Sequence, residues 1–128
     1  MKKKDFNYKT ITSFEDACKK ENVDPLQLPD VSMILEEFRE ALIAVYKLFV
    51  IFKAINNGWI ANYTNPKQAK YYPWLRVASS GSGFDFSASI FNYDFTATIV
   101  GSRLCTYDPQ VALYIGDQFG PEYAKFFL

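Results

Sequence analysis

The chain has 128 residues, the length of one ordinary domain, and it can bury a core without disulfides or metals. Its formal charge is zero, from 14 basic and 14 acidic side chains, which argues against a dedicated binder of duplex DNA. Histidine is absent, which excludes Ser-His and Cys-His nucleophile pairs and metal sites that need histidine ligands.

A single domain is expected over residues 1–128, because no repeat, low-complexity segment or linker interrupts the chain. Residues 1–10, which contain three consecutive lysines, are expected to form a flexible N-terminal arm. No apolar signal region follows the charged N-terminus.

The two cysteines, Cys18 and Cys105, are too few for a disulfide scaffold and lack metal spacing. We therefore expect a cytoplasmic protein with reduced thiols, no cofactor and no metal.

The first predicted helix is short and begins at a capping pattern. Ser13 is followed three residues later by Asp16, a capping box in which Asp replaces the usual Glu or Gln. The pattern predicts a helix from Phe14 to about Lys20 that buries its apolar side chains. Residues 23–30 contain two prolines and predict an irregular connection.

A long helix is predicted from about Met33 to Asn57, with Gly58 following its C-terminus. One face carries apolar side chains at helical spacing: Phe38, Ala41, Leu42, Val45, Leu48, Phe49 and Phe52. Further apolar residues make the second half apolar nearly all round, so the helix is either central to the fold or paired with another subunit. Its apolar stretch is shorter than the roughly 20 residues of a membrane span and contains two lysines, so no membrane association is expected.

The apolar periodicity then changes to two, which predicts strands. The first covers Tyr71–Val77, and Pro73 places it at a sheet edge or beside a bulge. Alternating apolar and polar residues predict two more strands, over residues 84–89 and 91–99. Residues 104–106 could add a short fourth strand.

The last helix is predicted to begin at Asp108, as N-cap, and Pro109, in the first helical position. It should continue to about Phe119 and stop or kink at Gly120 and Pro121. Together the elements predict an α+β fold, with a small antiparallel sheet of three to four strands and two to three helices packed on one face.

The most distinctive segment is Lys70–Arg76, which combines aromatic and basic side chains. Rings exposed on a sheet can stack nucleobases, while Lys and Arg hold phosphates. The candidate ligand-binding residues are therefore Tyr72, Trp74 and Arg76, together with Arg103 in a Gly-Ser-Arg turn. A structural role competes with this interpretation, because Tyr72 and Trp74 could instead pack beneath the preceding loop.

Two further patterns have simpler structural explanations. Asp85 and Asp94 fall on polar faces of adjacent predicted strands, and paired carboxylates can bind a divalent ion or act as acid and base. Solvated strand carboxylates explain them equally well. Cys105 lies near Arg103, which could lower the pKa of its thiol, although a buried apolar role is simpler. No catalytic residue is predicted.

Five short runs resemble sequences from a group of small uncharacterised proteins carried by phages and prophages of gut Bacteroidales. These runs are Ile11–Cys18, Ala41–Ala44, Asn57–Trp59, Lys70–Trp74 and Gly101–Cys105. The resemblance extends from about residue 10 to the C-terminus. It implies an intracellular product of a bacterial host, acting as a virion component, an antagonist of host defence or a helper of phage DNA metabolism.

The first functional hypothesis is a non-enzymatic phage or prophage accessory protein that acts by binding, either to itself as a homo-oligomer or to a protein partner. The aromatic share of 18% and the apolar helix motivate the oligomer. The alternative is a binder of single-stranded nucleic acid or a small nucleotide, such as a host-defence signal, through the aromatic and arginine surface defined above. Zero net charge favours a nucleotide over a long strand. A small metal-dependent enzyme using the two strand aspartates is a third hypothesis.

Overall fold

A computed structural model of the chain describes residues 6–65, 67–77, 84–92 and 104–127. Within these ranges the chain is mostly helical. In order, the elements are α1 (Phe14–Glu21), α2 (Glu36–Asn56), β1 (Lys70–Val77), β2 (Phe84–Asn92), α3 (Pro109–Gln118) and α4 (Gly120–Phe127). A 3-10 turn, Tyr8–Thr10, precedes α1.

The predicted α+β fold with a three- to four-stranded antiparallel sheet is wrong. The described ranges contain one antiparallel strand pair, β1 with β2, against four helices. Residues 104–106 add a single bridge to β1. The Thr106 amide donates to the Tyr71 carbonyl at 2.9 Å, and the Tyr71 amide donates to the Thr106 carbonyl at 3.0 Å. The bridge does not extend into a strand, because the chain enters α3 at Pro109. Residues 93–99 of the predicted third strand lie outside the described residues.

Helix α1 begins as its capping pattern predicts. The Ser13 hydroxyl accepts a hydrogen bond from the Asp16 amide at 3.0 Å. The Asp16 carboxylate in turn accepts from the amide and hydroxyl of Thr12, at 2.9 and 2.7 Å. The prediction of a short capped helix is confirmed. The side chains that α1 buries are Phe14, Ala17 and Cys18.

Helix α2 begins three residues later than predicted, at Glu36. Residues 32–34, just before the helix, form a turn that a side chain of α2 stabilises. The Arg39 side chain donates to the carbonyl oxygens of Ile34, at 2.7 Å, and Ser32, at 3.1 Å. The C-terminal end agrees with prediction, since Asn57 adopts a left-handed conformation (φ 47°) and Gly58 follows with φ 99°.

The core lies around the second half of α2, which packs against α1 and α4. The buried residues of α2 are Ala44, Leu48, Val50, Ile51, Phe52, Ala54 and Ile55. Ile115 of α3 and Phe119, which separates α3 from α4, join this cluster. The expected interruption at Gly120-Pro121 is present, and α4 starts there as a separate helix.

Helix α3 is fixed at both ends. The Asp108 carboxylate accepts from the Gln110 amide at 2.7 Å, and Pro109 occupies the first turn, as predicted. Farther along, the Tyr114 hydroxyl donates to the Ile11 carbonyl at 2.7 Å, and Gln118 donates its side-chain amide to the Thr12 carbonyl at 2.9 Å. The same helix packs on both strands. Helix α3 thereby joins the β1–β2 strand pair to the segment that precedes α1.

Candidate functional site

The predicted ligand-binding residues are only partly placed together. Trp74 and Arg76 lie in β1, at register positions opposite Ala88 and Asp85 of β2. The register shifts between residues 74 and 75, close to the bulge expected beside Pro73. Arg103 lies outside the described residues, as does Asp94, the proposed partner of Asp85.

Tyr72, the remaining predicted residue, packs beneath the loop that precedes β1. Its hydroxyl lies 3.3 Å from the hydroxyl of Tyr63, and the side chain is partly buried. The Tyr63 hydroxyl also lies 3.4 Å from Sγ of Cys105, a residue only 2% exposed. The two phenols and the thiol thus form one partly buried polar cluster. The Tyr72 hydroxyl therefore has a contact within the protein, while stacking of its ring on a nucleobase stays a prediction.

Burial sets the ionisation of this cluster. Burial, followed by the hydrogen bonds to Cys105 and Tyr72, raises the pKa of the Tyr63 phenol far above its ordinary value. Burial also raises the pKa of the Cys105 thiol, outweighing the hydrogen bond from Tyr63 and the charge of Lys70, which both lower it. The hypothesis that the Cys105 thiol has a lowered pKa is therefore wrong. Both groups are protonated at neutral pH.

Lys70 is a buried cation, with 7% of its surface exposed. Its ammonium donates to the carbonyl oxygens of Gln68 and Asn65, at 3.1 and 3.5 Å. It also lies 5.0 Å from the centroid of the Tyr63 ring, a distance typical of a cation–π contact. Lys70 therefore orders the loop over the polar cluster.

A cavity of about 600 Å³ opens at the C-terminal end of α2, beside this cluster. Small-molecule sites typically have volumes of roughly 300–1,000 Å³. Its lining is mainly aromatic and aliphatic, with polar atoms at its floor and one cation. The residues that line it are Phe49, Phe52, Lys53, Asn56, Trp59, Ile60, Ala61, Tyr63 and Cys105. Sequence reasoning missed the cavity, because its lining comes from three separated segments.

A second feature is an apolar face of α2 that is open to solvent. We call it the α2 face and define it by Leu35, which precedes the helix, and by Phe38, Leu42, Val45 and Phe49. The exposed fractions of Leu35, Phe38, Leu42 and Phe49 are 68%, 49%, 40% and 40%. Val45 is partly buried against the core. Exposed apolar groups in a contiguous row mark interaction surfaces more often than chance placement does.

Within the residues that the structure describes, no group of three or more Cys, Asp or Glu side chains is arranged to hold a metal ion. No helix in that part of the chain is long and apolar enough to cross a membrane. No protein-family model, curated protein or solved structure matches this chain, so its own geometry is the basis for assigning a function.

Proposed function

We propose that the protein is a non-enzymatic binding protein that works as a homodimer joined through the α2 face. The observation that carries this proposal is the solvent exposure of Phe38, Leu42 and Phe49 along one side of a single helix. Burying a large apolar side chain completely stabilises an assembly by about 1.5–3 kcal/mol relative to leaving it in water. A second copy of the same face supplies such burial for every residue of the row.

The spacing of the α2 face fits helix pairing. Its residues follow one another at intervals of three, four, three and four, from Leu35 to Phe49. This alternation keeps apolar side chains on one seam between two helices that cross at a small angle. Most homo-oligomers use a two-fold axis, in which the same surface of both copies meets. A helix pair through this seam satisfies that symmetry.

The charges of α2 favour an antiparallel pair. The first turns are net acidic, with three glutamates, Glu36, Glu37 and Glu40, and one arginine, Arg39, whereas Lys47 and Lys53 lie in the second half. In an antiparallel pair, the acidic half of one helix lies over the basic half of the other. A parallel pair would place like charges together and would align the two helix dipoles unfavourably. The proposed dimer is therefore antiparallel.

The proposal includes a bacterial cytoplasmic setting, as an accessory protein of a phage or prophage. The five short runs that resemble such proteins support this setting. Neither Cys18 nor Cys105 forms a disulfide, and both are buried, which suits a compartment that keeps thiols reduced. The absence of histidine and the protonated state of the Cys105 thiol support a role in binding rather than in nucleophilic catalysis.

Light scattering coupled to size-exclusion chromatography tests the dimer. The native chain is expected at twice its 14.7 kDa mass at micromolar concentrations. The double variant Phe38→Gln/Leu42→Gln should shift to the monomer mass with unchanged helical circular dichroism. Leu26→Gln/Leu28→Gln is the matched control, because it makes the same change from an apolar residue to Gln at exposed positions outside the α2 face and leaves the charges of α2 intact. A native monomer at high concentration, or equal dissociation of the control, would refute the proposal.

A further inference from the structure

The cavity beside Trp59 has walls suited to a flat apolar group. Phe52 is buried, and Phe49 and Ile60 present apolar surface next to the opening. The Trp59 ring is held against the Tyr107 ring, with centroids 6.2 Å apart and planes tilted by 53°. Aromatic walls favour an aromatic guest, because stacked and edge-to-face contacts add to the gain from burial.

Lys53 is the one cation among the described residues that line this cavity, and its positive charge is only weakly compensated. The Lys53 side chain is 74% exposed, and its ammonium lies 3.8 Å from Oε1 of Glu21. Glu21 is shared, because its other carboxylate oxygen lies 3.4 Å from the ammonium of Lys20. Because the Lys53 ammonium is well exposed and the contact is long, this pair contributes little. The Lys53 ammonium is thus available to an incoming anion.

The described residues that line the cavity carry no negative charge that would oppose an anion. The polar atoms at the cavity floor are the Tyr63 hydroxyl and the Cys105 thiol, 3.4 Å apart, both kept protonated by burial. The Asn56 side chain is already engaged, since it donates to the Cys105 carbonyl at 2.9 Å. None of the described residues that line the cavity is acidic. Among these residues, Lys53 alone carries a charge.

From this arrangement we propose that the cavity binds a small planar aromatic monoanion, with its ring against Trp59 and Phe52 and its anionic group on Lys53. A volume of about 600 Å³ accommodates one or two fused rings. A single ammonium matches one carboxylate, whereas nucleoside di- and triphosphates need several cations or a metal. Phe49 belongs both to this lining and to the α2 face, whereas Phe38 and Leu42 of that face do not line the cavity.

The probe pair 2-naphthoate and 2-naphthylmethanol tests the proposal, because the two share a ring system and differ in charge. Calorimetric titration should show naphthoate binding roughly three- to tenfold more tightly than the alcohol, as one partly exposed ion pair allows. In ¹⁵N-labelled Trp74→Phe protein, Trp59 is the only indole, and its N–H signal should shift on titration. Equal affinity for both probes, or an unmoved indole signal, would overturn the assignment.

Three single substitutions test whether the Lys53 ammonium is the group that binds the carboxylate of naphthoate. Lys53→Met should reduce naphthoate affinity to that of the alcohol, while Lys67→Met, at another exposed lysine, should leave it unchanged. Glu21→Gln should tighten naphthoate binding by a few fold, because it removes the competing carboxylate. Equal losses in both lysine variants would contradict the site, as would tighter binding of adenosine monophosphate than of naphthoate. The Phe38→Gln/Leu42→Gln variant should still bind naphthoate. The two sets of experiments therefore distinguish a failure of the proposed dimer from a failure of the proposed site.

Discussion

Asn56, the last residue of α2, donates a hydrogen bond of 2.9 Å to the carbonyl oxygen of Cys105, which lies 49 residues later in the chain. The Oδ1 atom of the same amide accepts from the hydroxyl of Thr106 at 2.5 Å. Thr106 is fully buried and bridges to Tyr71 of β1. One side chain thus connects the helical core to the strand pair and fixes one wall of the cavity.

Replacing Asn56 should therefore destabilise the whole domain. Asn56→Ala leaves the Cys105 carbonyl and the buried Thr106 hydroxyl without this partner, and we expect a loss of about 1–3 kcal/mol in the free energy of unfolding. Urea unfolding measures the loss. Thr106→Val in the Asn56→Ala background should cost less than it does alone, because the two side chains share one interaction. Strictly additive losses would show that the hydrogen bond contributes nothing.

Local chemistry made the helix boundaries predictable. The Ser13 hydroxyl and the Asp108 carboxylate each accept a bond from an amide within the first turn that follows, so the sequence itself carries the signal. The C-terminus of α2 was predictable for the same reason, since Asn57 and Gly58 tolerate positive φ. The start of α2 was misplaced because Arg39 stabilises a turn upstream of it, an interaction that periodicity does not report.

Long-range features were not predictable from one sequence. Two faces of α2 are apolar, and only packing against α1 and α4 shows that Leu48 and Ile51 lie inside while Phe38 and Leu42 lie outside. The cavity likewise depends on Asn56 meeting Cys105 across the chain. The sheet was overestimated in part because residues 104–106, considered as a short fourth strand, form a single bridge before the chain turns into α3.

The N-cap of α1 gives a prediction that depends on one hydroxyl. Ser13→Ala removes the acceptor for the Asp16 amide, and such replacements typically cost about 1 kcal/mol of stability. Ser13→Asp restores an acceptor and adds a negative charge at a helix N-terminus, so it should recover most of the loss. Thermal unfolding of the two variants beside the native chain is the measurement. A melting temperature unchanged in Ser13→Ala would contradict the cap.

Alkaline pH should unfold the protein through its buried acids. Burial, and next the charge of Cys105, raises the pKa of the Tyr123 phenol, and burial raises that of the Cys105 thiol. The folded state therefore keeps protons that the unfolded chain releases above the ordinary values of 9.0 for the thiol and 10.0 for the phenol. Their stabilising contribution is complete below about pH 9 and declines as pH rises from there towards the raised pKa values.

The measurement is urea unfolding at a series of pH values from 7 to 11, with phenolate absorbance followed in parallel. Tyr123→Phe removes one of the titrating groups, so its free energy of unfolding should fall less steeply above pH 10, by up to about 1.4 kcal/mol per pH unit for one fully buried group. Native phenolate absorbance from the buried rings should appear only with unfolding. A slope identical in the native chain and the variant would show that Tyr123 ionises freely when folded.

The direction of the proposed dimer can be read from disulfide cross-linking. Along a helix that rises about 1.5 Å per residue, positions 38 and 49 lie about 16 Å apart, whereas a disulfide needs Cα atoms within about 7 Å. In an antiparallel pair centred between Leu42 and Val45, position 38 of one copy faces position 49 of the other. Phe38→Cys and Phe49→Cys chains, mixed and oxidised, should therefore give cross-linked heterodimers, while each alone should give few. Cys18 and Cys105 are buried and do not compete. A parallel pair predicts the reverse, since each variant would then cross-link to itself and the mixture would add nothing.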